Sequence, residues 1–295
     1  MLWKANPRSV ADAAAGADWR WIAAAVLLVG LDRGLMALRW VILLRAVDTP
    51  GPSLPQILRI FFVSTFVGTF LPSVGGDVYR AYSLSRHGVS GSQAAASVAM
   101  DRFLGVVSLL IAAIIGLPYA GRVAADPVIL WTLGLTVAGC LGAALLVFSA
   151  RATQAAHALN AGIGAASVQR MSARLIDAVA RYRRHRTELA RVLVLSVAVQ
   201  AIRVVQAWFL GLSLGISVPL STYVAFVPVI LLIMLVPITV YGLGTSQFAF
   251  DSLFALAGVP AASAFALSVL FVALGVVGNL PGGVMYARGD RRTAQ

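Results

Sequence analysis

Phe70-Leu-Pro-Ser-Val-Gly-Gly-Asp-Val-Tyr-Arg80 decides how this chain is read. Residues 57–71 lead into it and are apolar apart from Arg59 and the hydroxyls of Ser64, Thr65 and Thr69. That run is shorter than the ~20 residues a helix needs to cross a bilayer. Pro72 breaks it, Gly75 and Gly76 free the backbone, and Asp77 and Arg80 place both charges at the break. Exposed peptide groups in hydrocarbon cost several kcal/mol each, so a break at that depth survives only inside protein or beside water. Two readings follow: an ordinary loop between two helices, or a re-entrant hairpin lining a polar cavity.

The composition places this break in a membrane. The chain has 295 residues, of which 60% are hydrophobic and 12% charged, against about 25% charged in a soluble domain. The expected fold class is therefore all-α: a single polytopic integral membrane bundle over 1–295. The formal charge of +12 might suggest nucleic acid. The arginines, however, cluster between apolar spans, as in cytoplasmic loops, so no nucleic-acid partner is expected. Cys140 is the one cysteine, which excludes an internal disulfide and a cysteine-rich metal site. No cleavable signal peptide is visible in the first twenty residues.

Around the break, residues 21–44 read as a first span. Trp19, Trp21 and Trp40 anchor it at the interfaces, and Asp32, Arg33 and Arg39 lie within it. Residues 77–87 form a short basic return carrying Arg80 and Arg86, and residues 93–117 a full span carrying Asp101-Arg102. Residues 118–126 are a short turn and 127–149 a clean span. The polar connection 151–191 holds eight arginines against Asp177 and Glu188. Within it, Val168, Met171, Leu175, Val179 and Tyr182 recur at helical steps, which predicts an amphipathic helix on the cytoplasmic surface. A lipid-headgroup or partner site and a plain positive-inside loop both fit this connection. Residues 192–214 span again, with Ser196, Gln200, Arg203 and Gln206 on one stripe. Residues 223–235 lead to a second break, Pro237-Ile-Thr-Val-Tyr-Gly-Leu-Gly244. Residues 248–256 return, and 262–286 form the last span, interrupted by Asn279 and Pro281-Gly-Gly.

The two breaks share an order: apolar half-helix, proline, paired glycines, short return, Gly-Val, four residues to alanine, long span. This sets a first repeat at 21–118 and a second at 192–287. The charge rule places the 151–191 connection and the tail at 288–292 in the cytoplasm. Counting spans from there, the first hairpin opens inside and the second outside. That is an inverted-topology repeat, which brings a substrate site to the midplane between discontinuous helices. The same count puts residues 1–20 outside.

Three segments together carry a resemblance: Leu71-Pro-Ser-Val-Gly-Gly-Asp-Val-Tyr-Arg80, Ser97-Val-Ala-Met-Asp-Arg102 and Tyr241-Gly-Leu-Gly244. They resemble the flippase-like transmembrane family named for the membrane region of lysylphosphatidylglycerol synthases. The resemblance covers nearly the whole chain and implies a multi-pass protein of the bacterial plasma membrane that moves an amphiphilic lipid between leaflets. Some members are fused to a soluble aminoacyltransferase, which this chain lacks. Three departures stand out. Asp101 replaces the usual glutamate before arginine, and Gln247 stands where members usually carry glutamate, which puts a charge-dependent role there in doubt. Members also carry one more span before a stretch like residues 2–21, as an exterior N-terminus would require, so the sequence reads as starting internally.

The expected substrate-binding set is Pro72, Gly75, Gly76, Asp77, Arg80, Asp101, Arg102, Gln200, Arg203, Gly242 and Gly244. Asp101-Arg102 reads either as a structural ion pair or as a substrate contact. Arg203 has no acid within one turn; a phosphate offers it a bidentate partner, and Asp32 or Asp101 from another span could serve instead. Gly242 and Gly244 either permit helix packing or free amides for a phosphate oxygen. Enzymatic activity is not expected. His87, His157 and His185 fall in loops without metal-ligand spacing, no Walker loop is present, and no cofactor is implied. The expected function is movement of an anionic or lipid-linked amphiphile across the membrane. The alternative is a non-transporting scaffold for a partner glycosyl- or aminoacyltransferase.

Overall fold

The computed structural model describes residues 16–47, 52–71, 74–121, 127–162, 165–235 and 242–290. Pro72 and the 237–241 part of the second break lie outside the described residues. Among the described residues there are eleven α-helices and no strand. They are α1 (Trp19–Ala46), α2 (Leu54–Phe70), α3 (Gly75–Ser85), α4 (Gly91–Gly116), α5 (Pro127–Phe148) and α6 (Ala150–Ala161). After these come α7 (Ala166–Arg181), α8 (Arg186–Ser213), α9 (Leu220–Met234), α10 (Thr245–Ala255) and α11 (Ala261–Asp290). Helices α1, α4, α8 and α11 are long and apolar enough to cross a membrane, and the bent pair α5–α6 adds a fifth candidate. At ~1.5 Å per residue, α2 and α9 fall short of a hydrocarbon core about 30 Å thick.

Helices α1 and α8 pack antiparallel against each other. At one end the Asp18 amide donates to the Ser213 carbonyl at 2.9 Å, and the rings of Trp21 and Phe209 lie 5.1 Å apart. At the other end the Tyr182 hydroxyl donates to the Leu43 carbonyl at 3.2 Å, and Arg183 Nε to the Val147 carbonyl at 3.1 Å. Burial, and then the charge of Asp101, pushes the Tyr182 hydroxyl well above its ordinary pKa, so it remains a donor.

The outer ends of α2 and α3 and the outer ends of α9 and α10 lie toward opposite ends of this pair. Helices α2 and α3 fold back on each other so closely that a Cβ on Gly76 would come 2.8 Å from the Gly68 Cα and 2.9 Å from the Ser64 carbonyl oxygen. Ile57 and Phe61 of α2 and Leu84 of α3 share an apolar cluster with Trp40, Val41 and Leu44, at the Arg45 end of α1. The open ends of α9 and α10 instead join Ala25 and Val29, near the Trp19 end, where the Tyr223 and Phe254 rings stand 5.1 Å apart.

Each long helix that follows a break packs on the half-helix of the other break. Gly116 of α4 abuts the α9 backbone, with its Cβ position 2.9 Å from the Ala225 Cα. Gly283 of α11 abuts the Phe66 ring of α2. A side chain at position 116 must displace backbone, so Gly116→Val should lower the melting temperature of the detergent-purified protein by an overpacking cost of about 1–3 kcal/mol. Gly134→Ala on α5, where a Cβ meets nothing within 4 Å, should not. Equal melting of the two variants would remove Gly116 from the packing argument.

Three expectations from the sequence are corrected. His157 is not in a loop but on α6, with Nε2 3.0 Å from Asp177 Oδ1 on α7. The 151–191 connection is not one polar stretch: α5 bends by 95° into α6 at Ser149, and α8 begins at Arg186, because Arg186, Glu188 and Arg191 continue the helical turns of the span. The amphipathic helix expected over the Val168–Tyr182 stripe does form, as α7, with Leu175 and Val179 packed against the bundle while Val168 and Met171 stay exposed. Helix α11 continues through Pro281, since the lost amide costs one helical bond and not the helix.

Candidate substrate cavity

A cavity of about 320 Å³ opens between the tip of the α2–α3 hairpin and the α9–α10 region. Ser64, Thr65 and Gly68 of α2 line it, with Gly76, Asp77 and Arg80 of α3 and Arg102 of α4. Asp32 and Arg33 come from α1, Arg203 and Gln206 from α8, Met234 and Gly242 from the second break, and Asn279 from α11. The α1 and α8 contributions follow from position: Asp32 is near the middle of α1, and Arg203 lies ten residues from the end of α8 that meets Asp18.

The charges form two arginine–aspartate–arginine clusters and one pair. Asp32 accepts from Arg203 Nε at 3.0 Å through one carboxylate oxygen and from Arg33 Nη1 at 3.2 Å through the other. Arg33 Nη2 reaches the Gly275 carbonyl at 3.2 Å, which ties α1 to α11. Asp101 likewise holds Arg39 Nη2 at 2.7 Å and Arg80 Nη1 at 3.4 Å. Arg80 Nε donates to Ser64 Oγ at 3.1 Å, and its guanidinium lies 4.8 Å from the Phe61 ring centroid and 5.3 Å from that of Trp40. Stacking on aromatic faces adds cation–π attraction in a desolvated place. At the cavity rim, Arg102 Nε meets Asp77 Oδ2 at 2.5 Å, and the Arg102 side chain is half exposed. Asp77 falls in the first turn of α3, where the helix dipole favours an anion.

Of the expected set, Gly76, Asp77, Arg80, Arg102, Arg203 and Gly242 are brought together around the cavity. Asp101 is turned away from it, toward Arg39 and Arg80. Gln200 ties α8 to α4 by donating to Ser108 Oγ at 3.0 Å. Gly75 is not in the lining; a Cβ there would run into Leu71. Gly244 has a φ of 92° and its amide donates to Gln247 Oε1 at 2.6 Å, so that amide is not free for a phosphate. Pro72 lies outside the described residues. Arg203 finds its acid in Asp32. Asp32, one of the two acids that the sequence offers as a partner for Arg203, and Arg33, Gln206 and Asn279 line the cavity without belonging to the expected substrate-binding set. The signal was present for Asp32-Arg33, as two adjacent charges at mid-span. Asn279 donates to Thr69 Oγ1 at 2.8 Å, a contact across 210 residues that no local pattern announces.

Against known families, residues 1–282 match the model described as the lysylphosphatidylglycerol synthase TM region. The chain belongs to that family. It is thus a multi-pass integral membrane protein of a family tied to lipid metabolism or transport. No curated protein and no solved structure matches it. For this member of the lysylphosphatidylglycerol synthase TM family, the cavity is the candidate site because it gathers the ionised side chains of four helices around one partly open cavity at mid-bundle. Among the described residues no group of three or more histidine, cysteine or carboxylate side chains is placed to hold a metal ion.

Proposed function

We propose that this chain moves an anionic amphiphile between the leaflets of a cell membrane, as a flippase-like transporter without covalent chemistry. The observation that carries the reading is a cationic cavity at mid-bundle, lined by α2 and α3 together with residues of α1, α8, α9 and α11, while the outer ends of α2–α3 and of α9–α10 pack toward opposite ends of the bundle. An anionic headgroup entering it exchanges water for guanidinium donors, which removes most of the cost of crossing hydrocarbon. Acyl or prenyl chains stay outside in the bilayer.

The architecture behind this reading is an inverted-topology repeat made of α1–α4 and α8–α11. Its support is the pairing of contacts: α4 on α9 answers α11 on α2, and α3 on α4 answers α10 on α11. In such repeats one half rocks against the other around a midplane site. Cysteines at Ser85 and Ala261, in a Cys140→Ser background, should react with an impermeant thiol reagent from opposite faces of the membrane. Labelling of both from one face would remove the inverted repeat.

Function is tested with purified protein in liposomes carrying a labelled anionic lipid. Accelerated exchange between leaflets supports the proposal. Formation of a modified lipid would make the chain an enzyme. Neither outcome without an added transferase would favour the scaffold reading instead.

A further inference from the structure

Among the described residues the lining holds four arginines (Arg33, Arg80, Arg102 and Arg203) against two aspartates (Asp32 and Asp77), a surplus of two positive charges. Including the shell behind it changes nothing, because Asp101 and Arg39 enter together. Both surplus cations belong to the clusters in which one carboxylate serves two guanidiniums. Asp251 of α10 is not part of the lining. A second observation points to a ligand. Gln206, 4% exposed, lines the cavity with its Nε2 making no hydrogen bond, and the Nε of Arg33 is likewise buried and without an acceptor. Buried donors without partners are costly, so these two call for an acceptor.

We infer that the cavity selects a headgroup carrying two negative charges on phosphate, a phosphomonoester or a diphosphate diester, and rejects aminoacylated cationic headgroups. This rests on the reading of the cavity as the substrate site. A phosphomonoester carries close to two charges at neutral pH and offers oxygen acceptors to Gln206, Arg33 and Arg203 together. A lysyl ester of phosphatidylglycerol combines one phosphodiester charge with two ammonium groups. Its ammonium groups would meet arginines, and each lining aspartate is already engaged by arginine.

The test is equilibrium competition in detergent micelles. Fluorescent phosphatidic acid is bound to the purified full chain and displaced by phosphatidic acid, a prenyl monophosphate, phosphatidylglycerol or lysylphosphatidylglycerol. The doubly charged lipids should compete about tenfold better than phosphatidylglycerol, the scale of one charge-assisted hydrogen bond. Lysylphosphatidylglycerol should not compete. Whichever doubly charged lipid binds tighter tells a glycerolipid source from a prenyl one. Gln206→Leu, a substitution of similar shape, should fold and lose severalfold in phosphatidic acid affinity. Competition by lysylphosphatidylglycerol equal to that of phosphatidic acid overturns the inference. So does a preference that survives Gln206→Leu but vanishes in Arg181→Gln/Arg184→Gln, which would place binding on the basic surface. Binding is read without movement: preference without leaflet exchange sinks the transport reading alone, and exchange without preference sinks this inference alone.

Discussion

Replacing Asp101 with leucine should leave little folded protein in the membrane. Arg39 and Arg80 both converge on that carboxylate, and all three side chains are buried. Without Asp101, two guanidiniums face each other behind the cavity with no anion between them. Removing one partner of a buried ion pair costs roughly 3–5 kcal/mol because the remaining charge stays desolvated, and here two charges are left. Asp101→Glu should recover much of the folded fraction, since it restores the charge one methylene further out. Fluorescence-detected size exclusion of the tagged variants reads this directly. A monodisperse Asp101→Leu protein at wild-type yield would show that water reaches the cluster and that its role is not structural.

The second large effect is an asymmetry around Asp32. This carboxylate joins Arg203 of α8 to Arg33 of its own helix, so it bridges the two halves of the bundle. Asp32→Leu strands both cations and should lower the melting temperature steeply, by the same roughly 3–5 kcal/mol. Arg203→Leu leaves Asp32 with Arg33 as a neutral pair, so folding should be unchanged or slightly improved while leaflet exchange of an anionic lipid is lost. Arg203→Lys should restore only part of the exchange, because an ammonium cannot offer the planar guanidinium fork. Comparable melting of Asp32→Leu and Arg203→Leu would mean that the cluster is not held together in the way its distances indicate.

Much of this was legible in the sequence because the membrane limits the choices. Runs of apolar residues located α1, α4, α8 and α11, with Trp19, Trp21 and Trp40 marking the first, and the glycine–aspartate break at 75–77 located the hairpin tip. Period alone also placed Arg203 and Gln206 on one face. What remained hidden was pairing between elements distant in the chain. The sequence narrows the acid for Arg203 to Asp32 or Asp101, but nothing local says that it is Asp32, 171 residues away, or that Asp101 turns from the cavity toward Arg39 and Arg80. The Gly244 amide misled for a different reason: the side chain of Gln247, three residues on, captures it. The division of the α7 stripe depends on which surface the bundle presents to it, and an amphipathic pattern does not contain that information.

An anionic headgroup that crosses through the cavity, as proposed, must engage Arg203. The decisive quantity is the rate at which a fluorescent anionic lipid becomes accessible to an impermeant quencher in proteoliposomes, for the wild-type chain and for Arg203→Leu of matched thermal stability. Fast equilibration of the two leaflets is expected with the wild-type chain and the protein-free background rate with Arg203→Leu. Equal rates for the two proteins, whether both fast or both at background, would contradict that route.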